Sequence, residues 1–377
     1  MTMRKTLIAV IASLAIPAAV APTAASAQDT ATVEADDQSQ SAATAEAAGN
    51  RAGAAPQSAA TFVVPKWFPK INGTIRSNYE VNTDDGASHF RVRNARVSFT
   101  GTIVPEFEYK AEVDLCDEGK IKMLDAYVRY LPASLPVTAT IGQMRVPFTI
   151  DAHRAPHQQY FANRSFIAKY GGNVRDVGLA GQYTLKGEVP LTVQAGVFNG
   201  SGLTNQKDYW TKTFNFSVKT MATIAGVLTL EASCQKSRPE DISIMMWNGG
   251  AAFDDGLWHI EAEYLRKNYM HAAFDGVNIV NTFISRKFPL RRNVSSIAAL
   301  GRYDYMDDHS DGIKNGMGEL SVTTPQRHRM TLGTTLSFGT TRYIEVRVNY
   351  EKYFYQKDAV IPISGHDKMV VEVMCRF

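Results

Sequence analysis

From residue 62 to the carboxy terminus no apolar run approaches the roughly 18 to 20 residues that a membrane-spanning helix needs. The chain instead repeats one unit, a segment of about 10 to 15 residues with partial period-two alternation, closed by Gly, Pro, Asn or Asp. Sixteen such segments can be placed: 68–82, 88–103, 107–117, 120–131, 137–148, 176–186, 189–199, 212–224, 226–238, 241–253, 258–270, 274–287, 295–308, 328–339, 342–356 and 367–377. Period two is the repeat of a strand, whose side chains alternate between faces. An even number of strands brings both ends of a closed sheet to the same side. The expected fold class is all-β, a 16-stranded antiparallel transmembrane β-barrel.

The joints provide an independent check. With the first strand running outward, the joints near 104–106, 132–136, 187–188, 225, 254–257, 288–294 and 340–341 are short, and those at 149–175, 200–211, 309–327 and 357–366 are long. Short turns on one rim and long loops on the other are the habit of an outer-membrane barrel, not of a sandwich.

Alternation assigns faces. In the second segment Ala95, Val97, Phe99 and Gly101 are expected toward lipid, with Asn94, Arg96, Ser98 and Thr100 toward the lumen. In the fifteenth, Glu345, Arg347, Asn349 and Glu351 oppose Ile344, Val346, Val348 and Tyr350. The last puts Met369, Val371, Val373, Cys375 and Phe377 outward against Lys368, Glu372 and Arg376. The fifth breaks the rule, because Gln143 and Arg145 share parity with Val137 and Ile141. Trp67, Phe68, Tyr79, Tyr130, Phe148, Phe198, Trp210, Trp258, Tyr269 and Tyr355 fall near segment ends, where interfacial aromatic girdles form. An aromatic carboxy-terminal residue on an amphipathic last strand, Phe377, is similar to the signal read by outer-membrane barrel assembly machinery.

The amino end has another character. Arg4 and Lys5, the run LIAVIASLAI and the Ala25-Ser26-Ala27 triplet have the shape of a cleaved secretory signal peptide over 1–27. Residues 28–61 are rich in Ala, Ser, Thr, Gln and acidic groups and lack aromatics, as expected of a disordered tether. The barrel is then assigned to 62–377. Removing Arg4, Lys5 and Arg51 from 40 basic residues, and Asp29, Glu34, Asp36, Asp37 and Glu46 from 37 acidic ones, leaves that domain 37 against 32. So small and dispersed an excess excludes nucleic acid as a partner and fits a weak preference for anions. Cys116, Cys234 and Cys375 are odd in number and far apart, which favours three semi-buried thiols over a disulfide framework.

Five stretches carry a family resemblance: Arg93 to Gly101 (RNARVSFTG), Phe107 to Asp114 (FEYKAEVD), Leu124 to Tyr130 (LDAYVRY), Ile141 to Phe148 (IGQMRVPF), and Asn163-Arg164-Ser165 with Arg175 to Gly181 (RDVGLAG). In this order and spacing they resemble strands two to six of the phosphate-selective porin O and P family, in the diverged form of Bacteroidetes-type bacteria. The resemblance implies a homotrimer of 16-stranded barrels, each channel narrowed by an inward-folded third external loop. That loop is 149–175 here. The residues expected at the constriction or along the lumen are Arg96, Arg145, Arg154, Arg164, Lys169, Arg175 and Arg347. Forked Arg donors match phosphate oxygens, but Asp125, Asp151, Glu345 and Glu372 offset the positive field.

The expected function is therefore an outer-membrane porin for small hydrophilic solutes, anionic or neutral, with a mild anion preference and phosphate among the candidates. Expected partners are outer-membrane lipid, lipopolysaccharide and the barrel assembly machinery. The competing reading is a non-conducting structural barrel within a larger outer-membrane complex. No cofactor or catalytic activity is expected. His153 and His157 are four apart but flank Pro156 with no third ligand. No motif nominates a nucleophile, and phosphate-cradling Gly loops are missing from the sequence. Asp84-Asp85 and Asp307-Asp308 with Asp311 are read as solvated turns.

Overall fold

The computed structural model describes residue 65 and residues 67–377 apart from 118, 172–173, 204–205, 239–241, 291–292, 341, 357–358, 360 and 362. The expected signal peptide, 1–27, and tether, 28–61, lie outside the described residues.

The strands are β1 (Lys70–Asn82), β2 (Ser88–Val104), β3 (Phe107–Asp117) and β4 (Lys120–Tyr130). Next come β5 (Val137–Arg145), β6 (Arg175–Leu185), β7 (Leu191–Phe198) and β8 (Asn215–Ile224). The second half holds β9 (Leu228–Ser237), β10 (Ile244–Asp254), β11 (Trp258–Tyr269) and β12 (Val277–Pro289). It ends with β13 (Ser296–Met306), β14 (Arg327–Gly339), β15 (Tyr343–Tyr355) and β16 (Lys368–Arg376). Each pairs antiparallel with its sequence neighbours, and β16 pairs with β1 to close the barrel. Closure removes the unpaired sheet edge that a membrane interior does not tolerate. Every segment read from the sequence is a strand. Boundaries differ by three residues at most, as at the end of β5, where Pro147 has no N–H to give to the ladder.

The two faces follow the alternation. Phe90 (83% exposed), Leu332 (68%) and Ile141 (64%) stand on the outer wall with many other bare apolar side chains. A band this extensive is stable only against lipid. Asn94, Arg347, Asn349, Glu351 and Glu372 are buried inside. The parity conflict in β5 falls beside Gly142, whose φ of +131° belongs to a conformation that L residues rarely adopt. Ile141 points out before it and Gln143 is buried after it. A Cβ at Gly142 would lie 2.3 Å from the Ala126 carbonyl oxygen, so only Gly fits this close approach to β4. Met144 keeps the inward parity of Thr138 and Thr140, and Arg145 reaches the same hollow beside it.

Phe377 completes the seam. The Gly73 N–H donates to the Phe377 carbonyl (2.7 Å) and the Phe377 N–H to the Gly73 carbonyl (3.1 Å). Its ring covers Gly73 so closely that a Cβ there would fall 2.2 Å from it. Cys116, Cys234 and Cys375 are free and half-buried, as expected.

One feature of the interior departs from a uniformly polar lumen. Ile244, Met246, Leu265, Val277, Ile279 and Met306 point inward near the long-loop rim, with at most 2% of their surface exposed. They form an apolar core with Met144, Val146, Phe148, Phe166, Ile167 and Phe198. The partner of this patch is the joint after β5, so the wall and the joint bury each other's apolar surface.

Candidate functional site

The joint between β5 and β6 runs through the barrel. Its path is fixed by hydrogen bonds to strands on opposite sides. Lys219 of β8 donates to the Thr149 carbonyl (2.7 Å), and Glu263 of β11 accepts from the Ile150 N–H (2.6 Å). Arg76 of β1 donates to Gln159 Oε1 (2.8 Å) and to the Ala162 carbonyl (2.7 Å). The Ala162 N–H donates to Asn349 Oδ1 of β15 (2.8 Å). Arg302 of β13 and Arg329 of β14 donate to the carbonyls of Asn163 (2.8 Å) and Arg164 (2.7 Å). A one-and-a-half-turn helix, α1 (Phe166–Tyr170), then packs into the apolar core, with Ser165 capping its first turn by accepting from the Ala168 N–H. Thr149 sits at φ +54°, a strained conformation for a β-branched residue, held between Lys219 and Ser233.

Most interior charge is spent on ion pairs. On the wall nearest the seam, Arg76 meets Glu372 (2.6 Å), and Arg347 meets both Glu372 (2.9 Å) and Glu345 (2.5 Å). Arg302 (2.9 Å) and Arg329 (2.8 Å) share Asp304. Across β2 to β6 a ladder runs Arg96–Asp114 (2.9 Å), Lys110–Glu112 (3.1 Å), Lys110–Asp125 (2.9 Å) and Arg175–Asp125 (2.6 Å). The joint itself is clamped by Arg154, which pairs with Asp151 (3.2 Å) and with Glu261. Burial alone raises the Asp151 carboxyl, but Arg154 and Arg164 hold it down at about 2. Burial lowers His153 well below its usual value, and nearby Lys219 and Arg145 add to the effect. His157 falls to about 3 through burial and the basic side chains Arg376 and Arg145. Both imidazoles are therefore neutral at pH 7.

Two hollows remain on opposite flanks of the joint. One, of about 110 Å³, lies against β3 to β7 and is lined by Lys110, Arg129, Arg145 and Asp125 with the polar side chains Gln182 and Gln194. Arg129 donates only to neutral groups, Thr140 Oγ1 (3.3 Å) and Tyr127 OH (3.2 Å). The other, of about 340 Å³, lies against β10 to β15 by the short turn at Gly256–Leu257 and is lined chiefly by hydroxyl, amide and imidazole groups.

The residues expected to touch solute are thus distributed unevenly. Arg154 and Arg347 are buried in ion pairs, and Arg96 and Arg175 belong to the ladder. Arg164 donates to the carbonyls of Asp151 (2.9 Å) and Arg154 (3.1 Å), which ties the joint to itself. Lys169 is exposed, with its ammonium 5.2 Å from the Tyr170 ring centre. Arg145 lines the hollow against β3 to β7 and donates to the His153 carbonyl. Lys110, Arg129, Arg76, Arg302 and Arg329 were not singled out in the sequence. Their signal was inward parity opposite an acidic residue on the next strand, as with Lys110 and Asp125.

The sequence matches the model of the family described as phosphate-selective porin O and P over residues 70–277, more than half of the chain. The chain belongs to that family. No curated relative matches the porin. Solved structures share its fold at low identity. The in-vitro folded, trimeric OmpT of Vibrio cholerae is 11% identical, with 82% of this chain and 99% of that one covered at a TM-score of 0.53. The anion-selective porin of Comamonas acidovorans is 11% identical over 82% and 98%, with a TM-score of 0.55. The outer membrane channel DcaP of Acinetobacter baumannii is 13% identical over 82% and 97%, with a TM-score of 0.54. Fold and family together place the porin in the bacterial outer membrane as a porin-type diffusion barrel.

Proposed function

We propose that this porin is a narrow diffusion channel for small hydrophilic solutes with a mild preference for anions. The observation that carries the reading is the hollow along β3 to β7, lined by Lys110, Arg129 and Arg145 with one carboxylate in the lining, Asp125, which Lys110 and Arg175 share while Lys110 also meets Glu112 behind it. A low-dielectric wall strengthens the field of such a set. Tight phosphate binding needs unspent guanidinium forks, and those of Arg76, Arg154, Arg175, Arg302, Arg329 and Arg347 are engaged with carboxylates. Phosphate then passes as one anion among several.

A second reading, a sealed structural barrel, is favoured by one fact: Asp304, Thr331, Arg347, Asn349, Glu351 and Glu372 have no exposed surface at the level of the joint. The reading also takes in export by 1–27, a spacer over 28–61, Phe377 as the assembly signal, and a homotrimer as in the form described for OmpT. Single-channel recording in planar bilayers tests it, with reversal potential under a salt gradient and a phosphate titration. Stepwise, weakly anion-selective conductance with no block by low phosphate is the expected result. Block at low phosphate would move the assignment to a specific phosphate channel, and silence from correctly folded protein would move it to the sealed barrel.

A further inference from the structure

The larger hollow is a different chemical environment from the cationic one, and we infer that it is a subsite for a neutral, polyhydroxylated solute of about monosaccharide size. The inference deepens the diffusion reading and rests on solute reaching the lumen from the short-turn rim, where Gly256 and Leu257 border the cavity. Its volume, about 340 Å³, is at the small end of the range of about 300–1,000 Å³ for ligand pockets.

Its charged groups are largely engaged with one another, apart from Lys287 exposed at the rim. Glu345 is held by Arg347 (2.5 Å) and Asp254 by His259 (3.0 Å), so neither carboxylate is left to attract a cation. The Arg347 guanidinium is divided between Glu345 and Glu372, so no fork remains for an anion. What lines the rest is a set of hydroxyls, Ser285, Ser296, Thr335 and Ser337, each able to donate and accept. A sugar hydroxyl has the same dual capacity, whereas an inorganic anion such as phosphate is chiefly an acceptor and brings a charge that no free cationic fork here would meet.

Two buried polar atoms in the lining have no partner among the described residues. Thr335, 7% exposed, leaves its Oγ1 unbonded, and Gln159, 5% exposed, leaves its Nε2 unbonded while its Oε1 accepts from Arg76. Buried polar groups are seldom left unpaired without a reason such as a bound molecule or water. One wall also has an aromatic face. The Tyr160 ring stacks on His259 at 4.5 Å between centres and 24° between planes, and both line the cavity. Ring faces beside convergent hydroxyls suit the apolar C–H faces and equatorial hydroxyls of a pyranose.

The test is saturation-transfer NMR on the full-length folded protein in detergent, with D-glucose and myo-inositol as probes and inorganic phosphate as competitor. Saturable transfer from both polyols, unaffected by phosphate, is expected. Thr335→Val, which removes only the hydroxyl, is expected to weaken binding by roughly tenfold. Thr335→Ser, which keeps the hydroxyl, should bind as the natural protein does and guards against a mere folding defect. No saturable transfer, equal binding by the Val and Ser variants, or displacement of glucose by phosphate would each overturn the subsite. The two proposals fail separately. Binding without conductance removes the channel and leaves the subsite, whereas conductance without binding removes the subsite and leaves the channel.

Discussion

The flank along β3 to β7 and the flank along β10 to β15 share one barrel and one dividing segment, yet they have opposite characters. On the first, three basic side chains line the hollow beside one carboxylate, Asp125, that Lys110 and Arg175 already share, with Glu112 behind Lys110. On the second, each acid has its own partner, hydroxyls fill most of the remainder and Lys287 stands exposed at the rim. The net excess of basic residues over the domain describes neither flank. Selectivity belongs to the pairing pattern within a few strands, because a charge bonded to its opposite contributes little field beyond its own neighbourhood.

The division depends on the joint staying in place, so undocking it has the largest expected effect. Arg154→Ala leaves Glu261 fully buried facing only His259. Removing one member of a buried pair costs roughly 3–5 kcal/mol. The expected outcome is a larger single-channel conductance with weaker discrimination between solutes, together with proteolytic cutting within 147–170. A variant with the natural conductance and protease resistance would mean that the backbone hydrogen bonds to Lys219, Glu263 and Arg76 hold the joint unaided.

Gly142→Ala attacks the cationic flank alone. The added Cβ would meet the Ala126 carbonyl and the Tyr127 backbone in a conformation unfavourable to L residues, at a cost of about 1–3 kcal/mol. If β5 backs away from β4 to make room, Arg145 is drawn off the hollow. The expected result is a lower melting temperature and reduced anion preference, with D-glucose binding intact. Loss of both properties together would show that the flanks are not independent.

Strand β5 also marks the limit of what the sequence reveals. All sixteen strands were legible because period two and turn residues are local signals, and the lumen face of β2 or β15 follows from parity alone. Parity alone misplaces Arg145 of β5, which reaches the same hollow as its neighbour Met144 at the inner end of the strand. The inward apolar patch of Leu265, Val277 and Ile279 was not legible at all. Its partner is α1, far away in sequence, and apolar residues on both faces of β12 carry no mark of which side faces lipid. The same holds for Arg154 and Arg347. Their basic character is plain in the sequence, but whether a guanidinium is free or spent depends on which carboxylate the fold brings to it.

Acid should narrow the difference between the flanks. His153 borders the cationic hollow and His157 the neutral one. Burial, then basic neighbours, depress both below the value near 6.5 of a free imidazole, His157 to about 3. The groups surrounding them are chiefly Lys110, Arg145, Arg347 and Arg376 for His157, and Lys219, Arg145 and Arg175 for His153. The folded state therefore binds fewer protons than the unfolded one in this range. Stability from the neutral imidazoles is complete above about pH 6.5 and is lost as pH falls toward 3. Lowering pH from 7.5 to 3 is expected to increase protease access to the joint and to raise anion preference, as the imidazole of the neutral flank becomes charged near the end of that range. A pH-independent reversal potential over that range would show that neither imidazole becomes protonated within the lumen.

The smallest effect compares single neutral substitutions on each side. Arg129 is half-buried and donates only to Thr140 and Tyr127, whereas Lys287 lies exposed at the rim of the neutral hollow. A partly solvated charge is worth about 0.2–1 kcal/mol, which corresponds to roughly 1.5- to 5-fold in the anion-to-cation permeability ratio. Arg129→Gln should lower that ratio toward the upper end of this range, because its wall is shielded and its field is not cancelled. Lys287→Gln should change it least, because water and counterions already screen the ammonium. Equal shifts from the two would place the ion path through both hollows alike and remove the basis for assigning anions to one flank.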